Sequence, residues 1–239
     1  MHQLSPDVSS IFSGRHFDRS IIILCVRWYI TYKLSYRDLV QMMAERRINV
    51  SHTTILRWVQ RYVPEFKEKW SRYAQPVGTA GPVDETYIKV RGRWAYLYRA
   101  VDKQGLTVDF LLSDHRDIAA AKQFFTSAIK QHEAPERITL DGYPATHSAV
   151  AELKASGVLR PEIKIWTSKY LNNMVEQDHR RVKQRTYPML GFKNFAHAAI
   201  TINGIELAQK IKKGQFDTAR ITTGTGATIA DIWEMVIEA

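Results

Sequence analysis

One cysteine, Cys25, is present among the 239 residues, which excludes an internal disulfide bond and a zinc site built from cysteines. Because Cys25 stands in an apolar helical run, we expect it to be buried and unreactive, which suits a reducing cytosol. That run, at residues 21–26, is too short to span a membrane, and no basic leader precedes a long apolar segment. Internal repeats and low-complexity segments are also missing, so we expect a complete soluble protein.

Acidic residues are outnumbered by basic ones. The chain has 24 Asp and Glu against 34 Lys and Arg, for a formal net charge of +10. Ordinary basic proteins can carry such an excess, but in a chain of this size it favours a polyanionic partner such as nucleic acid. Hydrophobic residues make up 45% of the chain, which is enough for a sizeable core.

The first part of the chain predicts three helices. Asp18 and Ser35 are suited to cap helices that run to about residues 32 and 47, and Ser51 is suited to start a third. Two short helices joined by a tight turn, the second with a polar and basic start, are typical of a helix-turn-helix. The alternative is an ordinary three-helix bundle with Ile55 and Trp58 in its core. The third-helix residues that we expect to contact DNA are Thr53, Thr54, Arg57, Gln60 and Arg61.

The rest of the chain alternates between strand and helix patterns. This order predicts an α/β fold of the ribonuclease-H-like type, a mixed five-stranded sheet with flanking helices, preceded by an all-α helix-turn-helix domain. The predicted strands are 83–90, 94–101, 106–112, 137–140 and 163–166. The predicted helices are 118–132, 144–157, 172–185 and 192–213, and a short helix is predicted after a capping-box pattern at 228–231. The predicted domains are a helical DNA-binding domain at 1–75, a linker at 76–82, a catalytic core at 83–190 and C-terminal helices at 191–239.

Three tryptophans carry separate expectations. We expect Trp94 and Trp166, in predicted strands, to lie in the core or in an interface rather than to stack on bases. Trp233, in the last helix, either docks on a partner subunit or closes the chain's own core.

Three acidic residues stand at informative places. Asp84 lies in the first strand of the sheet, Asp141 at the carboxyl end of the fourth, and Glu176 on the helix predicted at 172–185. If the first and fourth strands are neighbours, the two aspartates sit side by side and the helix brings Glu176 over them. Converging carboxylates repel one another unless cations fill the site, and their hard oxygens select Mg²⁺ or Mn²⁺. Taken singly, each of these acids also suits a surface strand, a turn or a solvated helix.

The helix at 172–185 also carries basic residues. At 3.6 residues per turn, Arg180 and Lys183 share the face of Glu176 and can hold a polyanion. Arg181 and Arg185 lie around the helix, where they are either solvated or bound to backbone. His179 can approach the acidic site, though a structural or phosphate contact is expected of it.

These residues stand in a pattern that resembles the DDE transposases of insertion-sequence family six, within the retroviral integrase superfamily. Asp84, Asp141 and Glu176 match the DDE triad, with 34 residues (176 − 141 − 1) between the last two. The matching strings are SYRDL at 35–39, VSHTTILRWV at 50–59, VDETYIKV at 83–90, TLDG at 139–142 and NNMVEQDHRRVK at 172–183. The likeness covers about residues 15–210.

The resemblance implies a function and its partners. A transposase of this family would bind the terminal inverted repeats of its element, nick the 3′ ends and join them to target DNA by two-metal transesterification, in a replicative reaction that forms a cointegrate. It implies two Mg²⁺ ions, with Mn²⁺ as an acceptable substitute, held by Asp84, Asp141 and Glu176. It also implies double-stranded DNA as partner, a homodimer or higher homo-oligomer on DNA, no membrane, and a bacterial cytoplasm near the nucleoid.

Two other functions remain open at this point. One is a non-catalytic DNA-binding regulator, which would have no use for three carboxylates at these positions. The other is a ribonuclease-H-like nuclease that only hydrolyses its substrate, which would have no use for a helix-turn-helix that reads an inverted repeat.

Overall fold

The computed structural model of the chain describes residues 16–131, 135–167, 173–221 and 226–239. Within these ranges the chain forms eight α-helices and five strands. The helices are α1 Arg19–Thr31, α2 Tyr36–Ala44, α3 His52–Ser71, α4 Ile118–Gln131, α5 Pro144–Ala155, α6 Asn173–Thr186, α7 Phe195–Lys212 and α8 Ile229–Glu238. The strands are β1 Val83–Val90, β2 Arg93–Val101, β3 Thr107–Ser113, β4 Arg137–Leu140 and β5 Lys164–Thr167. Residues 1–15, 132 and 172, which the predicted elements and domains include, lie outside the described residues.

Helix boundaries follow the capping residues that the sequence predicts. The side chains of Asp18, Ser35 and Ser51 accept backbone N–H groups at the starts of α1, α2 and α3, and Thr228 forms the expected capping box with Asp231. The helix predicted to reach residue 47 ends earlier, at Ala44. Residue 47 itself has a left-handed backbone with φ 61, which no helix can accommodate.

The sheet differs from the predicted one. β1, β2 and β3 form an antiparallel sheet in that order, and β4 and β5 form a separate parallel pair, so the prediction of one five-stranded sheet is wrong. A single parallel bridge between Pro82 and Thr139 joins the two, and the N–H of Thr139 donates to the Gly81 carbonyl at 3.0 Å. Beyond this bridge, the Asp141 carboxylate accepts the N–H of Tyr143 at 3.1 Å, and α5 begins at Pro144.

Two of the hydrophobic clusters lie on opposite faces of the antiparallel sheet. One face packs against α4 and α5, with Phe124 and Leu153 among its fully covered side chains. The other face, with Ile88 and Leu97, packs against Val182 of α6 and against α7. Helix α6 is thereby held across the face of β1.

A third cluster joins the two ends of the chain. Helices α1, α2 and α3 share one core with α7 and α8, where the rings of Trp70 and Trp233 lie 5.3 Å apart. Trp233 thus closes the chain's own core, which decides between the two roles expected for it. Cys25 is buried in the same cluster, as expected, and burial raises the pKa of its thiol to about 12.

Two tryptophans that were expected in the core or in an interface lie at the surface. Trp94 is 59% exposed and Trp166 is 46% exposed, so neither belongs to a core. Trp166 is covered on one side by the guanidinium of Arg137, at 4.3 Å from the ring centre.

No helix in the described ranges is long and apolar enough to cross a membrane.

We predict that Gly204→Ala destabilises the fold. Gly204 lies in α7 where it meets α1 and α3, and a Cβ there would stand 2.7 Å from Cγ2 of Ile30 and 3.1 Å from Cγ2 of Val63. Alanine favours an isolated helix by about 1 kcal/mol, but overpacking costs about 1–3 kcal/mol, so we expect a net loss. Urea unfolding measures the difference, and a more stable variant would show that α7 does not pack this closely.

Candidate active site

Asp84 occupies a partly buried position between the sheet and α6. It lies on the same face of β1 as Ile88, and its Oδ1 accepts the N–H of Glu85 at 2.9 Å. The pKa of Asp84 is raised to about 7, chiefly by burial and also by the charges of Asp141, Glu85 and Glu176, against the lowering effect of the Glu85 N–H. A carboxyl group with such a pKa is shielded from water and lies near other negative charges.

Asp141 reaches the same place from β4. The bridge between Pro82 and Thr139, carried on by two residues, brings Asp141 level with Asp84 on the neighbouring strand. The ring Nε2 of His147 lies 2.8 Å from the Asp141 carbonyl oxygen and fixes the turn that follows β4. The first and fourth strands are therefore adjacent at this bridge, although they do not belong to one sheet.

Glu176 comes from the first turn of α6 and has an exposed side chain. Val175 beside it is fully buried, so α6 presents Glu176 outward from a fixed backbone. Its charge contributes to the raised pKa of Asp84. In the part of the chain that the structure describes, however, no three Asp, Glu, His or Cys side chains are close enough together to bind one metal ion. The three carboxylates are electrostatic neighbours that do not yet converge on a point.

An arginine that sequence reasoning missed lies beside Glu85 and Asp141. Arg116 forms an ion pair with Glu85, and its NH2 is 3.9 Å from Oδ2 of Asp141. Its guanidinium also covers the Tyr143 ring, at 3.5 Å from the centre. Nothing in the local pattern before α4 marks Arg116, because its partners come from β1 and from the turn after β4. This cation neutralises Glu85, so that Glu85 is held apart from the other acids.

His179 lies between α6 and β1. Its Nδ1 is 3.7 Å from Oδ2 of Asp84, which is longer than a hydrogen bond. The pKa of His179 is lowered to about 3, chiefly by burial and also by the charges of Arg99 and Lys183. The imidazole is therefore neutral at neutral pH and adds no charge beside Asp84.

A buried charge network that the sequence patterns do not predict lies beneath the acids. Arg99, the cross-strand partner of Asp84, is fully buried and donates to Asp178 of α6 at 2.8 Å and to Glu206 of α7 at 2.9 Å. Lys213 donates to the same oxygen of Asp178 at 2.7 Å. These contacts tie α6 and α7 to the strand next to β1, which fixes the helix that carries Glu176.

The other end of α6 is tied to the N-terminal helices. Arg185 is buried and donates from Nε to the carbonyl of Tyr29 at 2.6 Å and from NH2 to the carbonyl of Leu34 at 3.2 Å. Of the two roles considered for Arg185, binding to backbone is the one observed. Arg181 is exposed, as are Arg180 and Lys183.

The residues expected to contact DNA on α3 do not share one environment. Thr53, Arg57 and Arg61 are exposed, and Thr54 is half-buried with its hydroxyl 2.8 Å from that of Ser51. Gln60 points elsewhere, because its Nε2 donates to Thr201 of α7 at 3.4 Å and its Oε1 is buried. We therefore remove Gln60 from the set of candidate DNA contacts.

Comparisons with known proteins match most of this chain. A family model described as a DDE domain matches residues 79–215. The transposase for insertion sequence-like element IS431mec of Staphylococcus aureus (strain Mu50 / ATCC 700699) is 38% identical over 202 residues, covering 84% of this chain and 88% of that protein. The Staphylococcus aureus transposase for insertion sequence element IS257 in transposon Tn4003 matches with the same identity and coverage.

Solved structures give weaker likenesses. The HTLV-2 integrase catalytic core domain in complex with magnesium is 17% identical, with a TM-score of 0.43 over 67% of this chain and 99% of that one. The catalytic core domain of BIV integrase is 16% identical, with a TM-score of 0.40 over 66% and 92%.

A DDE domain with an N-terminal helical region defines the class of protein. From the family model and the staphylococcal relatives, the chain belongs to the DDE transposases of insertion-sequence family six.

The raised pKa of Asp84 predicts how stability depends on pH. The pKa of Asp84 in the folded protein, about 7, lies above its ordinary value of 3.8. The metal-free protein therefore loses stability as the pH rises from about 4 to about 7, and titration of Asp84 changes its stability little above pH 7. Asp84→Asn removes the effect. In urea unfolding with EDTA, we expect the variant to be more stable than the wild type at pH 8 by about 2 kcal/mol, with little difference at pH 4.

The control for this prediction is Asp114→Asn, which changes an exposed carboxylate. It should leave stability unaltered at both pH values. If the wild type and the Asp84→Asn variant are equally stable at pH 8, the charge of Asp84 does not destabilise the folded protein.

Proposed function

We propose that this transposase binds the terminal inverted repeats of its element, nicks their 3′ ends and joins the freed hydroxyls to target DNA, in a replicative reaction that yields a cointegrate. The observation that carries the proposal is that Asp84, Asp141 and Glu176 lie close enough for their charges to interact, in a chain that matches the DDE domain over residues 79–215. Membership of the DDE transposases supports assigning these three residues to catalysis.

The donor set suits Mg²⁺. Asp84, Asp141 and Glu176 offer only carboxylate oxygens, and their mutual repulsion is of the kind that a divalent cation relieves. Two bound Mg²⁺ or Mn²⁺ ions would supply the stabilisation of attacking and leaving oxygens that phosphodiester displacement needs. The side chain of Glu176 is exposed, whereas those of Asp84 and Asp141 are half-buried, so closure of the site would require movement of Glu176.

The surrounding residues would orient the DNA. Arg180 and Lys183 are exposed on α6, and we assign them to phosphates of the reacting strand. Arg116 keeps Glu85 paired, so that Glu85 does not compete for the cations. Neutral His179 fills the space between Asp84 and α6 without adding charge.

The N-terminal helices would read the inverted repeat. We assign Thr53, Thr54, Arg57 and Arg61 of α3 to the major groove or to its flanking phosphates. Two ends must be held together during joining, so we propose a homodimer or a higher assembly on DNA. The boundaries 1–75, 76–82, 83–190 and 191–239 remain our proposed division, with the first and last segments sharing a hydrophobic core.

The first test concerns Glu176→Gln. In a strand-transfer assay with pre-cleaved end DNA, target DNA and Mg²⁺, we expect the variant to lose joining by at least about a thousand-fold, because an amide is a poor ligand for Mg²⁺. Binding to end DNA should remain within about three-fold of the wild type. The matched control is Glu162→Gln, an exposed acid outside the site.

The result of this assay also separates the alternatives. Full joining by Glu176→Gln would contradict the metal-ligand assignment. A wild type that binds ends but never joins them would favour a non-catalytic regulator, and one that only cuts would favour a hydrolytic nuclease.

The second test concerns Arg57→Ala. Losing one arginine contact to a base or phosphate should weaken binding to the terminal repeat by about ten-fold, without changing the affinity for Mg²⁺. Fluorescence anisotropy with a labelled repeat duplex measures the effect, and Arg160→Ala, at an exposed position beyond α5, is the control. Unchanged repeat binding would show that α3 is not the reading helix.

A further inference from the structure

An aromatic surface is left uncovered at the end of the β1–β2 hairpin. It consists of Tyr87, Tyr96 and Trp94, and we call it the hairpin aromatic surface. Tyr87 and Tyr96 are cross-strand partners with ring centres 5.6 Å apart, and Trp94 lies 6.0 Å from Tyr87. Trp94 is 59% and Tyr87 44% exposed. On the same face but farther from the hairpin turn, the cross-strand pair Glu85 and Tyr98 is buried. The exposed rings are therefore the ones nearer to the turn.

The hairpin aromatic surface is continuous with the carboxylate site. Arg116 lies 3.9 Å from Oδ2 of Asp141, and its guanidinium carbon lies 5.8 Å from the centre of the Tyr87 ring. One arginine side chain therefore separates Asp141 from the first exposed ring, while Asp84 lies on the other face of β1. A DNA strand with a phosphate at Asp141 would pass over Arg116 onto Tyr87.

The charges around the surface suit a polyanion. Lys89 is exposed and is the cross-strand partner of Trp94, while Arg116 lies at the other end. The acid nearest to these rings, Glu85, is already paired with Arg116. A second copy of the chain related by two-fold symmetry would bring the same cations together, which disfavours this surface as a self-interface.

The rings also specify the form of the nucleic acid. Exposed aromatic rings bind nucleotides by stacking on base faces, and cations beside them hold the phosphates. In a duplex the base faces are already stacked on one another, so only unpaired nucleotides can use the rings.

We propose that the hairpin aromatic surface, with Arg116 and Lys89, binds unpaired nucleotides of the DNA strand that enters the carboxylate site. This proposal rests on the proposed function, in that it assigns the DNA strand a path beside Asp141. Tyr87 and Trp94 would stack on bases next to the reacting phosphate and so hold a frayed end open. Trp94 would then be a base-stacking residue, contrary to the expectation from its sequence.

The test uses the full-length protein and a fluorescein-labelled oligothymidylate of about twelve nucleotides as a single-stranded probe. We expect the double variant Tyr87→Ala/Trp94→Ala to bind it about ten-fold or more weakly, as loss of base stacking requires. The aromatic variant Tyr87→Phe/Trp94→Phe should retain most of the affinity. Trp166→Ala, which removes an exposed tryptophan from β5, is the matched control and should bind normally.

Binding to duplex DNA distinguishes a failure of this proposal from a failure of the proposed function. The double alanine variant should bind a terminal-repeat duplex as the wild type does, because α3 reads it. If the wild type fails to join ends, the proposed function fails while the oligothymidylate result still stands. Normal oligothymidylate binding by the double variant would overturn the proposal, and so would an equal loss in Trp166→Ala. If the double alanine variant binds oligothymidylate normally but its mass in sedimentation differs from that of the wild type, the surface would be assigned to protein association instead.

Discussion

Repulsion between carboxylates in a partly buried place is the constraint on which this structure depends. Asp84 is shielded from water by the sheet and α6, and it feels the charges of Asp141, Glu85 and Glu176. Arg116 offsets the charge on one side by pairing with Glu85. The remaining negative charge stays at the position where a transposase of this family would need to gather divalent cations.

Such repulsion persists only if the surrounding backbone is held firmly. Helix α6 is fixed at one end through Asp178, which binds buried Arg99 of β2, and at the other through Arg185, which binds the carbonyl of Tyr29 in α1. Removing one partner from a buried ion pair leaves an uncompensated charge, so these contacts resist being broken. They also join the proposed DNA-reading helices to the helix that carries Glu176.

Local features of the fold could be predicted from the sequence, because they depend on neighbours in the chain. The bounds of β1 and β4 and the helix caps at Asp18, Ser35 and Ser51 agree with the patterns that predict them. The roles of Arg99 and Arg116 could not be predicted, since each depends on partners that only the folded sheet brings near. The split of the sheet and the exposure of Trp94 likewise depend on how distant elements pack, which local sequence patterns do not contain.

The central claim is that Asp84, Asp141 and Glu176 form one divalent-metal site. Electron paramagnetic resonance of Mn²⁺, titrated into the full-length protein with end DNA, tests it most directly because free and bound Mn²⁺ give different signals. The account predicts about two bound ions per active site in the wild type and their loss in Asp141→Asn. Undiminished Mn²⁺ binding by Asp141→Asn would contradict it.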